Sequence, residues 1–458
     1  MDAAITIAGN VVNLKYKDLS EDAVTVTKKS ILDTLGVMIA ASTQEPACKK
    51  VAALAQEGGG KEESTIIAFG GKVPCLMAAF ANGSLSHALD YDDTHDDSRM
   101  HASAQTLPAA LATADKVGKV NGKEFIVAVA LGIDLCCRLG LALNDRAETY
   151  WLAQTVFGCF SSAAASGRLL GLTQEQMVSA FGIALYQASG SRQAAFETKS
   201  VLRGIRDAFA AKAGVLSALM AQRDLNGGDN SLEGRAGLFN LYFAGHYDRN
   251  ALTEKLGKRF EGVNISFKPW PSFRLSHIYM EAVLDIVKEH KITASDVVEM
   301  TAILSPTAER IAWSAGELVK PEISIQAKRS IPFTMALALV KGKVSIGDFL
   351  PENLKDPEVL RVAAKINYKY DPSLGGVGVT PGAVRLKTKT GKVYTKRVDH
   401  ALGHPENPMS SADLVAKFED CARYSAKPLT KAKVKKIVEM VQNLEKVEDV
   451  SQLTQLLS

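Results

Sequence analysis

From residue 20 to about residue 260 this chain reads as one helical segment after another, which restricts it to folds in which helices pack on helices. Segments 22–41, 76–89, 124–141, 156–170, 173–188 and 208–222 place Ala, Leu and Gly three and four residues apart. That is the spacing of a helix with an apolar stripe. Small-residue faces such as Ser161-Ser-Ala-Ala-Ala-Ser-Gly let neighbouring helices approach closely. For these stretches a packed helical core explains the pattern without any chemistry.

The texture changes near Asn264. Pro269, Pro271, Pro306, Pro321 and Pro332 follow in quick succession, and proline interrupts helices. Val298-Glu-Met-Thr-Ala-Ile-Leu has the character of a strand. Segments 383–388 and 392–398, separated by a turn containing Gly391, form an alternating pair that predicts a β-hairpin. Helices are expected at 276–289 and 327–341, so the middle of the chain is α+β. After His404-Pro-Glu-Asn-Pro408 helical spacing returns at 411–424 and 431–446, and this last part is expected to rejoin the first domain. At 458 residues the chain is too long for one ordinary core.

Bulk properties exclude several function classes. A net charge of +4 on a chain this size argues against nucleic acid and against an anionic membrane surface. The longest apolar stretch, 125–143, is interrupted by Asp134 and Arg138, too soon for a membrane span. Six cysteines show neither Cys-x-x-Cys pairs nor metal-ligand spacing, so they are expected as buried free thiols in a reducing compartment. The first residues lack the basic start of a signal peptide, and the cytoplasm is the expected location.

One stretch is chemically dense. Residues 82–101 hold Asp90, Asp92, Asp93, Asp96 and Asp97 with His87, His95 and His101, three of the chain's eight histidines. Carboxylates beside imidazoles suit proton transfer near neutral pH. If the helix at 76–89 ran on through Tyr91, then His87, Asp90, Tyr91 and Thr94 would share a face. Asp92, Asp93, Asp96 and Asp97 would then point to solvent or to helix ends, and His87 would have a structural place in the core. His101 falls in a loop before Pro108, which suits the first turn of a following helix. Asp92-Asp93-x-x-Asp96 also has the spacing of a Mg²⁺-diphosphate motif in helical isoprenoid synthases. Only 7% of residues are aromatic, however, and no second acidic motif follows.

Several runs together resemble the MmgE/PrpD family. They are Asp33-Thr-Leu-Gly-Val-Met-Ile-Ala-Ala, Asn82-Gly with His87-Ala-Leu-Asp-Tyr-Asp-Asp-Thr, and residues 163–172. Further on come Leu232-Glu-Gly-Arg-Ala-Gly-Leu, Phe267-Lys-Pro-Trp-Pro-Ser, Ala327-Lys-Arg-Ser-Ile-Pro-Phe and Gly403-His-Pro-Glu-Asn-Pro-Met-Ser. The resemblance spans nearly the whole chain. It implies a mainly α protein: a large discontinuous all-helical domain (1–265 with 400–458) carrying an inserted smaller α+β lid domain (266–399). It also implies a homodimer and a metal-independent, cofactor-free enzyme acting on a small polycarboxylate as a dehydratase, with an epimerase or decarboxylase as alternatives.

The family's functional positions carry over one at a time. Its active-site aspartate and threonine match Asp90 and Thr94, its loop histidine matches His101, its lid lysine Lys268 and a further lid histidine His277. Counting back without gaps from Ala210-Ala-Lys-Ala-Gly214 places the family's cation at Arg203, whereas the Thr-Lys context points to Lys199. Arg206 is a second cation suited to carboxylates, since guanidinium binds them bidentately. On this basis Asp90 and His101 are the expected acid/base pair and Lys268 the electrostatic stabiliser or second acid. Thr94, Arg203, Arg206 and His277 are expected to bind substrate, and Asp90, His101 and Lys268 to converge on one pocket. Two positions depart from the family: Leu152 replaces a histidine, and Phe273 a cysteine or histidine. Those losses leave room for a catalytically silent helical scaffold.

Overall fold

The computed structural model describes residues 1–143, 150–197, 200–306, 319–375 and 381–458. It divides into two compact units, Met1–Ile265 with Ser410–Ser458, and Ser266–Met409.

The larger unit is built from helices α1 (Ala3–Asn13), α2 (Glu21–Gln44), α3 (Pro46–Glu57), α4 (Cys75–Ser86), α5 (Ala102–Val117), α6 (Gly122–Leu141), α7 (Ala153–Leu169), α8 (Gln174–Gln187) and α9 (Asp207–Ala221). The predicted helices of this region lie within these bounds to a few residues, except at two places that matter for the site. Helix starts follow local chemistry. Ser20 and Thr173 accept hydrogen bonds from backbone amides of the first turn, as capping residues do. Small residues set the helix spacing: a Cβ added at Gly83 in α4 would lie 2.7 Å from the Ala208 Cα in α9. Beside it, buried Asn82 accepts from the Ile67 amide (2.9 Å) and donates to the Thr65 carbonyl (3.0 Å), which accounts for the Asn82-Gly83 pair.

The first exception is α4. It stops at Ser86 instead of running on through Tyr91. Ser84 and Ser86 turn their hydroxyls back onto the Ala81 and Gly83 carbonyls, which weakens helix continuation. Asp90 then takes a left-handed backbone (φ +52°) and its amide bonds the His87 carbonyl. Aspartate is one of the few residues that adopts this conformation readily. The second exception is α5, which begins at Ala102 and carries Pro108 in its interior. Burial of nearly every residue from Ala102 to Ala114 outweighs the hydrogen bond that the proline removes.

In the smaller unit α10 (Arg274–His290) and α11 (Ile331–Lys341) accompany a four-stranded sheet of β1 (Val297–Leu304), β2 (Ile366–Tyr370), β3 (Gly382–Thr388) and β4 (Val393–Val398). The order is β2-β1-β3-β4, with β1 parallel to β2 and the other pairs antiparallel. The expected hairpin is β3–β4, with Gly391 at φ +83° in its turn. The alternating burial of β1 and β3 gives one apolar face. α10 packs against it, and Ile278 and Val283 of α10, Met300 of β1, Val384 of β3 and Phe333 of α11 share one apolar core.

The chain then returns to the larger unit as α12 (Ser411–Ala422) and α13 (Lys431–Gln442), with α12 lying along α2. The architecture is therefore mainly α with an inserted α+β unit. All six cysteines are free and buried. Among the described residues no helix is long and apolar enough to cross a membrane.

Candidate active site

The acidic stretch after α4 folds into a buried turn. Asp92 and Asp93 have no exposed surface, Asp90 and Asp96 very little, and only Asp97 is exposed. This overturns the expectation that Asp92, Asp93 and Asp96 are solvated or helix-end carboxylates. Asp92 sits between two imidazoles: its Oδ1 is 2.9 Å from His87 Nδ1 and its Oδ2 is 2.9 Å from His101 Nδ1. The two rings meet edge to face with centroids 4.5 Å apart. Asp93 accepts from the Ser103 hydroxyl at 2.5 Å, and Thr94 donates to Asp96 at 2.9 Å.

The hydrogen-bond partners fix which ring nitrogens carry protons. His101 Nδ1 faces the Asp92 carboxylate and, at 3.1 Å, the Asp93 carbonyl. Both accept, so Nδ1 is the donor and Nε2 is left for chemistry. The residue is clamped by one amide: its N–H donates to Gln154 Oε1 (2.8 Å) and its carbonyl accepts from Gln154 Nε2 (2.9 Å). Gln154 was not singled out in the sequence, because nothing local marks a glutamine as the partner of a loop fifty residues earlier.

The electrostatics divide the groups. Burial opposes the charged form of Asp92, yet the two imidazoles hold its carboxyl well below the usual range. Burial and then the Arg206 guanidinium push His87 down to about 3, so it is a neutral donor to Asp92. Burial and then the Asp33 charge raise Asp93 to about 7.

Asp90 faces Arg203, whose two terminal nitrogens each lie 3.4 Å from its Oδ2. Arg206 is buried and lies 3.5 Å from Asp207, and its charge is felt at His87. The larger unit thus brings Asp90, His101, Arg203 and Arg206 into one neighbourhood, with His87 and Asp92 beneath. The alternative cation, Lys199, lies outside the described residues. Thr94 is buried, with its hydroxyl committed to Asp96. Leu152 precedes α7, and its amide donates to the Gly190 carbonyl.

Lys268 and His277 belong to the smaller unit, and both are fully buried. The Phe267 amide donates to the Gly403 carbonyl at 2.9 Å. Gly403 has φ +91°, and a Cβ there would collide with the Phe267 carbonyl oxygen, so the Gly403-His-Pro-Glu-Asn-Pro run holds the backbone next to Lys268. His277 donates from Nε2 to the Ser272 carbonyl (3.2 Å), with its ring against Trp270. Phe273 precedes α10 and donates its amide to the Lys328 carbonyl.

His87, Asp90 and His101 each offer an atom within 4.8 Å of the others, close enough in principle for a divalent ion. Both Nδ1 atoms face Asp92, which leaves the Nε2 atoms as the ligand atoms, while the Arg203 and Arg206 guanidiniums share the site, where like charge opposes a cation. The carboxylates of Asp92-Asp93-x-x-Asp96 are buried, with Asp92 between the imidazoles and Asp93 and Asp96 on hydroxyls. A second group, His400, His404 and Glu406, has its imidazoles stacked 4.3 Å apart with planes 23° from parallel.

A turn-borne aspartate on an arginine stands beside a histidine backed by a carboxylate, groups whose chemistry suits proton transfer next to an anion. The chain belongs to the MmgE/PrpD family: its N-terminal domain model matches residues 5–250 and its C-terminal domain model residues 270–446. The chain is 27% identical to the human cis-aconitate decarboxylase over 97% of this chain and 92% of that protein. It is 25% identical to the Aspergillus terreus cis-aconitate decarboxylase over 97% and 94%. With the 2-methylcitrate dehydratase of Escherichia coli K12 it shares 24% identity over 89% and 87%.

Proposed function

We propose that this protein is a lyase acting on a small polycarboxylate, removing a proton from the carbon next to a carboxylate and releasing water from the neighbouring carbon. The arrangement that supports this is the Asp90–Arg203 pair beside the His101–Asp92 pair. In this reading the Asp90 carboxylate takes the proton from carbon. The imidazolium form of His101, stabilised through Nδ1 by Asp92, gives the Nε2 proton to the departing hydroxyl. The carbon–oxygen bond breaks, the carbon–carbon double bond forms and water leaves. Protonated Asp90 and neutral His101 are restored by exchange with solvent. Arg203, Arg206 and Lys268 balance the charge of the developing enolate, and no metal takes part.

Decarboxylation is a second reading, supported by the match to cis-aconitate decarboxylases over 97% of the chain. There CO₂ leaves and His101 protonates the carbanion carbon. Epimerisation would return the His101 proton to carbon. NMR of a polycarboxylate panel in D₂O separates these outcomes: alkene formation with water loss supports the lyase proposal. CO₂ release, deuterium exchange with inversion, or no turnover of any substrate would each replace it, the last by the silent-scaffold reading.

Three results are expected of the same enzyme. Turnover is unchanged by EDTA, because Arg203 and Lys268 supply the positive charge; loss on chelation with recovery on Mg²⁺ or Zn²⁺ would reject the metal-free reading. Lys268→Met raises KM as well as lowering kcat, since a cation that holds a carboxylate also binds the ground state. Steady-state kinetics would show it, and an unchanged KM would remove Lys268 from substrate binding. Light scattering should give the mass of a homodimer, and a monomer mass at working concentration would dismiss that expectation.

A further inference from the structure

We infer that Lys417, on α12, is a positioning residue that sets the backbone of the Asp90–Asp92 turn, a role that deepens and rests on the function proposed above. Its ammonium is almost wholly buried, 2.6 Å from Asp33 Oδ1 on α2. It donates to the Tyr91 carbonyl at 2.7 Å and lies 3.8 Å from the centre of the Tyr91 ring. The ammonium is thus shared among a carboxylate, a carbonyl and an aromatic face, and two of the three belong to the residue between Asp90 and Asp92.

Stability alone is a poor account of this arrangement. A buried ion pair loses about as much in desolvation as it regains in attraction, and apolar replacements of such pairs are often neutral or stabilising. What an apolar pair could not supply is the bond to the Tyr91 carbonyl. Asp90 stands in a left-handed conformation, and its carboxylate and that of Asp92 leave the chain on either side of that carbonyl. A shift of the peptide there moves Asp90 against Arg203 and Asp92 against both imidazoles together. The charged and titratable groups around the turn include Asp33 from α2, Lys417 and Asp420 from α12, Arg203 and Arg206 before α9, Asp207 within it, and Asp93, His87 and His101 of the segment itself. Lys417 is the cation placed on its backbone.

Lys417→Met and the double variant Asp33→Asn/Lys417→Met test this in the full-length protein. The double variant removes the uncompensated buried charge but not the loss of the Tyr91 bond. Both are expected to keep native helix content and to lose about 10²-fold in kcat, the scale of an ångström of misplacement, with KM changed less than about threefold. Histidine ¹⁵N spectra at fixed pH should show the His87 and His101 resonances displaced and those of exposed His246 and His290 unmoved. Wild-type kcat with unshifted imidazoles in Lys417→Met would overturn the inference, as would full recovery in the double variant. Failure of both variants to fold would also overturn it, because the pair would then serve folding and not placement. If the wild type turns over no polycarboxylate, the functional proposal fails, while the imidazole spectra still decide the role of Lys417.

Discussion

Replacing His101 by alanine is expected to lower turnover by about 10²–10⁴-fold, the usual worth of one general acid or base, while circular dichroism and the melting temperature stay close to wild type. Hydroxide is a poor leaving group, so the proton from Nε2 is needed where the carbon–oxygen bond breaks. The fold should tolerate the change because the His101 backbone is held by the Gln154 amide and not by its ring. Asp92 keeps its second imidazole partner, His87, at 2.9 Å. Wild-type turnover in this variant, measured on the substrate identified by NMR, would remove His101 from the chemistry while leaving family membership intact.

Asp92→Asn should come close to the same loss, roughly 10²–10⁴-fold in kcat, although the side chain is isosteric and reaches no substrate. Asp92 Oδ1 accepts from His87 Nδ1–H, and its Oδ2 faces His101 Nδ1 at 2.9 Å. An amide offers one oxygen and one NH₂, so one imidazole must meet a donor with a donor and turn or change tautomer. The imidazolium also loses its counter-charge, the two effects that make a carboxylate behind a histidine valuable in other acid/base enzymes. KM should move little, since Asp92 is buried beneath the imidazoles. A kcat within threefold of wild type would show that the carboxylate is structural. So would a variant whose loss is matched by His87→Ala alone, because His87 then carries the whole effect.

The sequence was informative where local spacing decides structure. Three- and four-residue periodicity located α2, α6, α7, α8 and α9, and a two-residue alternation around Gly391 located β3 and β4. It was silent or misleading where distant parts of the chain decide. Apolar spacing at 76–89 says nothing of the hydroxyls of Ser84 and Ser86 or of the left-handed Asp90 that end α4. Pro108 looks like a helix start because its cost is local, and the burial that outweighs it is supplied by other helices. β2 lacks a clear apolar face, and four of its five residues are exposed or nearly so, so period-2 reading passed over it. At the site, the density of Asp and His marked residues 82–101, and the family resemblance pointed within them to Asp90 and His101, which the fold sets beside Arg203 and Asp92. Asp92 was placed on the wrong side of the turn, since the helix from which its direction was judged does not extend that far. Gln154 and Lys417 carry no local mark, as each acts on a segment remote in sequence.

The larger unit is also split in time. Residues 410–458 leave the ribosome after the rest of the larger unit and after the whole inserted unit, yet they contain Lys417, which reaches back 326 positions to Tyr91. Until then Asp33 has no ammonium beside it and the Asp90 turn lacks its backbone anchor. The smaller unit is continuous from Ser266 to Met409, and its α10 and sheet can assemble before the helical unit closes, as domains generally fold as units during synthesis. A nascent chain would therefore carry a finished inserted unit while the helical unit still lacks α12, and the Asp90 turn would be among the last parts of that unit to set.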